Sequence, residues 1–362
     1  MGVAAGPRWP AGGAFWPGRR VLITGNTGFK GAWLTLLLHR CAGIWPEGLA
    51  DGIPTEPSLY RLLGLEQQVP QHWGDVRDPA AVDAALAAAD PDVVLHLAAQ
   101  PFVRRSYQDQ VTTFATNVLG TANVLDAVRR GVARPRVVVV VTSDKCYEND
   151  GGGHRFREGD PLGGEDPYSA SKAAAELVAA AYRRSYAPDG EPVRIVTARA
   201  GNVIGGGDWG EDRLIPDLVR AAQAGVAAEL RNSAAVRPWQ HVLSPSAGYL
   251  MLAQAAWEDA AAPAACNFGP AAGDARPVAE VAAAIGAVLG VAAAAAPGEH
   301  PPEAAHLALD SGLARQALGW DPVWGLDRAL AATADWYGAW RAGEDIAAVT
   351  ARQIDAFLAD AG

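Results

Sequence analysis

Tyr168 and Lys172 stand four residues apart in the stretch Tyr168-Ser169-Ala170-Ser171-Lys172. On a helix that spacing puts a phenol and an ammonium on one face. A free tyrosine titrates at about 10, and an adjacent cation favours its ionised form. The pair is then a base for a hydroxyl, although taken alone Tyr-x-x-x-Lys is a common surface pair. Ser143 adds a hydroxyl, and Asp144 and Lys145 follow it at once. A reduction or an epimerisation needs only the serine, the phenol and Lys172. A neighbouring acid and base are what an elimination requires, with capping or a surface ion pair as the plainer explanation. Adjacent opposite charges hold both groups ionised, whereas burial works the other way. The two therefore titrate as one unit, and which is acid and which is base stays open.

A second constellation is Gly25-Asn26-Thr27-Gly28-Phe29-Lys30-Gly31, directly after Val21-Leu22-Ile23-Thr24. Glycines between a strand and a helix let backbone approach a pyrophosphate, which rests on the helix N-terminus. Gly25, Thr27, Gly28, Phe29, Lys30 and Gly31 are the expected cofactor contacts. Asp51 lies twenty residues beyond Gly31, where an acid often binds the adenosine ribose diol; its alternative is a turn residue before Gly52. Asp75 and Val76 end the next strand, and Leu97, Ala98, Ala99 and Gln100 end the fourth, where small residues make room for a dinucleotide. Thr142, Tyr168 and Lys172 complete the cofactor set. Asp51 favours NAD, while Lys30 is placed to meet the 2′-phosphate of NADP. Arginines suited to a diphosphate are Arg104, Arg105, Arg213, Arg231 and Arg237, set among Gln100, Asn117, Asn202, Trp209, Trp239 and His241.

The elements that must hold these residues alternate. Val21–Thr24, Val93–Leu97, Arg136–Thr142 and Val193–Ala198 are unbroken apolar runs of strand length, as in the centre of a parallel sheet covered on both faces. Leu34, Leu37, Leu38 and Cys41 fall at helical spacing, as do Val118, Ala122, Leu125 and Val128. The expected fold is α/β, a doubly wound parallel sheet with a smaller C-terminal substrate-binding lobe. The boundaries expected are a flexible leader over 1–14, a dinucleotide-binding domain over 15–200, and a lobe over 201–362 from which some segments return to the sheet. Ile44–Leu49 contains Pro46, so the second strand is either short and late-starting or an irregular edge. The alanine runs at 84–89 and 292–296 read as helix, and Gly325–Trp340 and Asp345–Leu358 as two closing helices.

In 362 residues the net charge is −10, which argues against a nucleic-acid or anionic-membrane surface. Cys41, Cys146 and Cys266 form no CxxC, and the seven histidines show no metal-ligand spacing, so neither disulfide framework nor metal is expected. The first seventeen residues lack the apolar stretch of a signal peptide, and no run approaches a membrane span of about 20 residues. The expected location is the cytoplasm.

These motifs, in this order, resemble the extended short-chain dehydrogenase/reductases that act on nucleotide sugars. The resemblance runs from about Phe15 nearly to the C-terminus and narrows towards the CDP-glucose 4,6-dehydratases. It is carried by Phe15-Trp16-Pro17-Gly18, Pro54-Thr55-Glu56-Pro57, Ala98-Ala99-Gln100-Pro101 with Val103-Arg104-Arg105-Ser106-Tyr107, and Thr142-Ser143-Asp144-Lys145-Cys146-Tyr147. Arg199-Ala200-Gly201-Asn202, Gly207-Asp208-Trp209 and Arg237-Pro238-Trp239-Gln240-His241 continue it. Asp144-Lys145 is its most discriminating feature, since the related dTDP-glucose enzymes carry Asp-Glu there. The resemblance implies NAD, a nucleotide-sugar substrate (CDP-glucose foremost), and a homodimer or dimer of dimers joined through the helices bearing Val118–Val128 and Tyr168–Tyr182. It implies catalysis by Ser143, Asp144, Lys145, Tyr168 and Lys172. Substrate contacts are implied for Gln100, Arg105, Ser106, Asn117, Asn202, Arg213, Arg231, Arg237 and His241. Asn26, where the family has His, and Trp45-Pro46 are departures that bear on cofactor affinity. An epimerase or decarboxylase on the same fold is the nearest enzymatic alternative, and a non-catalytic dinucleotide sensor is the alternative from another class.

Overall fold

The computed structural model describes residues 15–149, 151–186, 193–296 and 307–362; the leader over 1–14 lies outside the described residues. Seven parallel strands form the central sheet: β1 (Val21–Thr24), β2 (Glu47–Ala50), β3 (Gln71–Trp73), β4 (Val93–His96), β5 (Val137–Val141), β6 (Arg194–Ala200) and β7 (Ala265–Phe268). Their order is β7-β6-β5-β4-β1-β2-β3, so the chain reverses its direction of winding between β1 and β4. In such sheets a ligand lies beyond the strand C-termini at that switch point.

The helices that matter are α1 (Phe29–Ala42), α2 (Pro79–Ala89), α3 (Gly120–Arg129), α4 (Pro167–Tyr186), α5 (Leu214–Ala224), α6 (Leu243–Glu258), α7 (Val278–Leu289), α8 (Leu326–Arg341) and α9 (Ile346–Asp360). Strand residues alternate between two apolar layers. Val21, Ile23, Leu95, Val137 and Val139 pack with Trp33, Leu37, Leu250 and Trp336. Leu22, Val94, Val138 and Val140 face Val82, Leu86, Val124, Leu125 and Ala179 on the other side. That two-sided burial is why the strands read as unbroken apolar runs.

The second strand starts late, immediately after Pro46, and it is not an edge. Leu22 pairs with Glu47, and Gly48 with Gln71, so β2 lies between β1 and β3. The proline is harmless because it precedes the ladder. The alanine run at 292–296 corrects the helical expectation: Ala293–Ala295 is a strand, parallel to Ala228–Leu230. Pairing with a neighbour overrides alanine's helix propensity there. From the second half of the chain, β7 and α6 return to the main sheet, while Val236–Pro238 and Ala275–Pro277 pair outside it.

Candidate active site

The glycine loop is shaped from both sides. Gly25 has φ +73°, and a Cβ there would lie 2.8 Å from the Ala98 backbone. A Cβ on Gly31 would lie 2.3 Å from the Gly25 carbonyl oxygen. Gly28 is different: no atom comes closer to its Cβ position than 3.4 Å, so fold packing alone does not require it. It is the N-cap of α1, with no side-chain cap and no acid in the first turn. A 14-residue helix thus begins without a side-chain cap, at a residue without a side chain, a cradle that fits a pyrophosphate. Thr27 closes the loop through its hydroxyl to the Gly52 carbonyl at 2.7 Å, and Asp51 stands exposed just past β2. Asn26, the departure in this motif, donates to Gln71 Oε1 at 2.7 Å. Any side chain at Gly48 would collide with it at 2.1 Å.

The remaining cofactor candidates divide. Leu97, Ala98 and Ala99 follow β4, with the Ala98 amide held by Thr24 Oγ1 at 3.1 Å. Asp75 lies two residues past β3 rather than on its end. Its carboxylate is taken by Arg77, which also holds it below the usual carboxylate range. Val76 is buried against α3, where Gly120 leaves room for it. Thr142 turns its hydroxyl away, onto Glu176 at 2.5 Å. Lys30 does not reach toward a ribose phosphate. Its ammonium lies 3.5 Å from the Tyr249 hydroxyl, in the field of Arg213, Lys172, Asp144 and Asp208, and burial pulls it down to about 8.

The catalytic candidates do meet. Ser143 caps the short turn Asp144–Cys146 at the end of β5, and its hydroxyl donates to Asp144 Oδ1 at 2.9 Å. Asp144 is 3% exposed, its Oδ2 has no partner, and a Cβ on Gly201 would sit 2.7 Å from that oxygen. Burial raises the carboxyl above its ordinary value, against the opposing pull of Lys145, Ser143, Lys30 and Arg237. Tyr168 enters from the first turn of α4, its backbone amide held by Ser106 Oγ at 3.1 Å. Burial pushes the phenol up to about 12; Ser143 and Arg213 act in the opposite direction. Arg213 is thus a cation that acts on the phenol. Lys172, one turn on, reaches the Val141 carbonyl at 3.4 Å and is lowered to about 8 by burial.

Several substrate candidates hold the site rather than face it. Gln100 spends its carboxamide on Thr113, at 2.8 Å, and on both backbone groups of Phe102. Asn117, in a π turn at Ala115–Leu119, clasps the Gln100 backbone and Ser171 Oγ. His241 is a core residue: fully buried, wedged edge-on against Trp33 and Trp324, and lowered to about 3 by burial. Trp209 and Trp239 are likewise buried. The arginines are paired with acids: Arg213 with Asp208 at 2.9 Å, Arg231 with Asp212, Arg104 with Asp212 at 3.3 Å, and exposed Arg105 with Glu211 at 3.9 Å. A diphosphate here competes with Asp208, Glu211 and Asp212. Arg237 is 6% exposed and acts on Asp144, and the half-buried Asn202 accepts from the Gln240 amide at 3.1 Å.

Sequence reasoning missed the support beneath the site. Glu176 and Arg199 form a buried ion pair at 2.8 Å that also binds Thr142, Thr197 and Tyr147, whose hydroxyl reaches Asn267 at 2.7 Å. The signal was available: Glu176 is four residues past Lys172, on the same face of α4. Among the described residues, no group of His, Cys, Asp and Glu side chains could hold a metal ion, and no helix is long and apolar enough to cross a membrane.

A glycine cradle at the switch point, with a serine, a tyrosine and a lysine converging beside it, defines a short-chain dehydrogenase/reductase of the extended, nucleotide-sugar class. The model of the GDP-mannose 4,6 dehydratase family matches residues 22–265, and the chain belongs to that family. It is 42% identical to CDP-glucose 4,6-dehydratase of Salmonella typhimurium over 351 residues, 95% of this chain and 97% of that protein. Among solved structures, dTDP-glucose 4,6-dehydratase of Streptomyces venezuelae with NAD bound superposes with a TM-score of 0.76 at 25% identity, covering 91% of this chain and 99% of that one. UDP-glucose 4-epimerase of Thermus thermophilus, also with NAD, gives 0.74 at 27% identity, covering 88% and 99%. NAD is bound in both of these solved structures, and the glycine cradle with Asp51 beyond β2 suits it.

Proposed function

We propose that this protein is a CDP-glucose 4,6-dehydratase, forming CDP-4-dehydro-6-deoxy-glucose. The observation that carries the reading is Asp144: a buried carboxyl raised by desolvation, with one unpartnered oxygen, hydrogen-bonded to Ser143. An epimerase has no use for such an acid. NAD, when bound, would supply the hydride acceptor and donor that a redox-neutral 4,6-elimination requires.

The chain's own residues do the proton work. Tyr168 takes the proton of the C4 hydroxyl, whose oxygen Ser143 binds. The C4 ketone acidifies the C5 hydrogen, which Lys145 removes as base. Asp144 protonates the C6 oxygen, which leaves as water. Gly25, Gly28, Gly31 and the α1 amides would hold the pyrophosphate, Asp51 the ribose, and Lys172 the nicotinamide side. Arg213 and Arg237 face the nucleotide-sugar diphosphate, with the rest of 201–362 outside the sheet as its lobe. We place the enzyme in the cytoplasm, in keeping with three free cysteines. We further propose a homodimer, formed through the apolar groove of Val111, Phe114, Val118, Leu119, Ala122 and Ala174, with Leu177 beside it.

The test is incubation with NAD and, in parallel, CDP-, dTDP-, UDP- and GDP-hexoses, reading the alkaline absorbance of the 4-keto product. Product from CDP-glucose at the highest kcat/KM supports the reading. Preference for another nucleotide overturns the substrate, and epimer without loss of water overturns the reaction.

A further inference from the structure

His96 ends β4 and takes no part in the proton work. It is buried, and both ring nitrogens are engaged. Nδ1 lies 2.7 Å from Thr24 Oγ1 at the end of β1, and Nε2 lies 3.1 Å from Thr121 Oγ1 on α3. The other bonds of those two hydroxyls fix where each hydrogen points. A carbonyl oxygen only accepts, so Thr121 gives its single hydrogen to the Asn117 carbonyl at 2.7 Å and accepts from the ring. A backbone amide only donates, so Thr24 Oγ1 accepts from Ala98 at 3.1 Å and keeps its own hydrogen for Nδ1. That is the pattern of a neutral imidazole with its proton on Nε2. Burial, aided by the charge of Lys172, holds it neutral by lowering it to about 3.

Four hydrogen bonds therefore run in one direction, from the Ala98 amide through Thr24, His96 and Thr121 to the Asn117 carbonyl. At one end is the floor of the glycine loop, where a Cβ on Gly25 would lie 2.8 Å from the Ala98 backbone. At the other end is Asn117. Thr121 lies four residues beyond it, and a threonine hydroxyl bonded to the carbonyl four residues back bends a helix. The helix opens there into the π turn Ala115–Leu119. From that turn the Asn117 carboxamide donates to Ser171 Oγ at 2.8 Å, and Ser171 Oγ donates to the Tyr168 carbonyl at 2.7 Å. A buried network with every member satisfied is rigid.

We infer that His96 is a positioning residue for hydride transfer: through Thr121 and Asn117 it sets the first turn of α4, and so Tyr168, relative to the glycine loop. The inference rests on the proposed function for the choice of substrate. A rigid ring with one acceptor and one donor suits the task, because it joins two hydroxyls on different elements and fixes the direction of both bonds. Of the conservative replacements, Gln keeps a donor near the Nε2 position and so keeps the link to Thr121. Asn keeps an acceptor near the Nδ1 position and so keeps only the link to Thr24. The two links are separable by experiment.

The experiment compares wild type with His96→Gln, His96→Asn, Thr121→Val and Thr121→Ser, using NAD and CDP-glucose. Single-turnover C4 hydride transfer, read at the reduced-nicotinamide band, should slow by about 10- to 100-fold in His96→Asn and Thr121→Val. In those two the isotope effect on kcat from deuterium at C4 should rise, while KM and the NAD Kd from calorimetry stay near wild type. His96→Gln and Thr121→Ser should recover the rate, and His96→Asn combined with Thr121→Val should be no slower than either alone. Independently of any variant, nitrogen NMR of the wild-type protein at pH 7 should show His96 neutral with its proton on Nε2. A proton on Nδ1, equal rates for the Gln and Asn variants, or losses that follow the urea midpoint with no change in isotope effect overturn the inference and leave His96 a core residue. Wild type inactive on CDP-glucose but active on another nucleotide hexose fails the proposed substrate alone, and the same variants are then read on that hexose. Wild type that transfers no hydride from any nucleotide hexose overturns both.

Discussion

Burial of Lys172 beside Val141 pulls its ammonium from 10.5 down to about 8. At 1.36 kcal/mol per pH unit, this corresponds to about 3 kcal/mol of cost to the ligand-free fold. The unfolded chain holds the extra proton between pH 8 and 10.5, so stability rises with pH across that window; below pH 8 the cost is present in full. Lys172→Met should therefore abolish activity yet raise the urea midpoint of the free protein at pH 7, with the advantage shrinking by pH 10. A variant less stable than wild type at pH 7 would show that the ammonium stabilises the fold. The residue types were legible because Tyr-x-x-x-Lys and Ser-Asp-Lys are short and local. Their electrostatics were not. The sequence places Lys172 beside Tyr168 as its cation, and the fold adds Arg213, forty-five positions along the chain, which acts on the phenol. His241 misled because a polar residue among motif residues reads as functional until its tryptophan neighbours are seen.

At the scale of elements, α4 is fastened to the sheet by charge. Glu176 on α4 binds Thr142 beyond β5 and Thr197 and Arg199 on β6, and Tyr147 carries the network to Asn267 on β7. Removing one member leaves a buried charge uncompensated, which typically costs about 3–5 kcal/mol. Arg199→Met should lower the unfolding free energy read from urea titration by that much, and Glu176→Gln in the same chain should recover part of the loss. Equal losses from the single and double changes would mean that packing, not charge, fastens α4. Strands β1, β4, β5 and β6 were readable because burial on both faces leaves one uniform apolar signature. β2 was only half readable, since Pro46 breaks the pattern one residue before the ladder begins. The strand at Ala293–Ala295 was invisible, because nothing in an alanine run announces the partner that pairs with it.

At the scale of the molecule, the helical segments Gln110–Phe114 and Ala115–Leu119 that lead into α3, together with α4, present an apolar face with Val111, Phe114, Leu119 and Leu177 exposed at 80%, 40%, 51% and 58%. Phe114→Glu with Leu177→Lys should convert a dimer to monomer in sedimentation velocity without changing the fold; an unchanged sedimentation coefficient would move the interface elsewhere. Everything the whole chain is proposed to do turns on whether oxidation at C4 and loss of water are separate duties of separate residues. Asp144→Asn keeps Ser143, Tyr168 and Lys172, and removes only the acid. Rapid mixing of that variant with NAD and CDP-glucose, followed by absorbance at the reduced-nicotinamide band and by quenched product analysis, measures both duties at once. The predicted result is a reduced-nicotinamide signal that rises and persists while 4-keto-6-deoxy product falls by about 10²–10⁴-fold. Dehydration at the wild-type rate would contradict the account and reduce Asp144 to a structural residue.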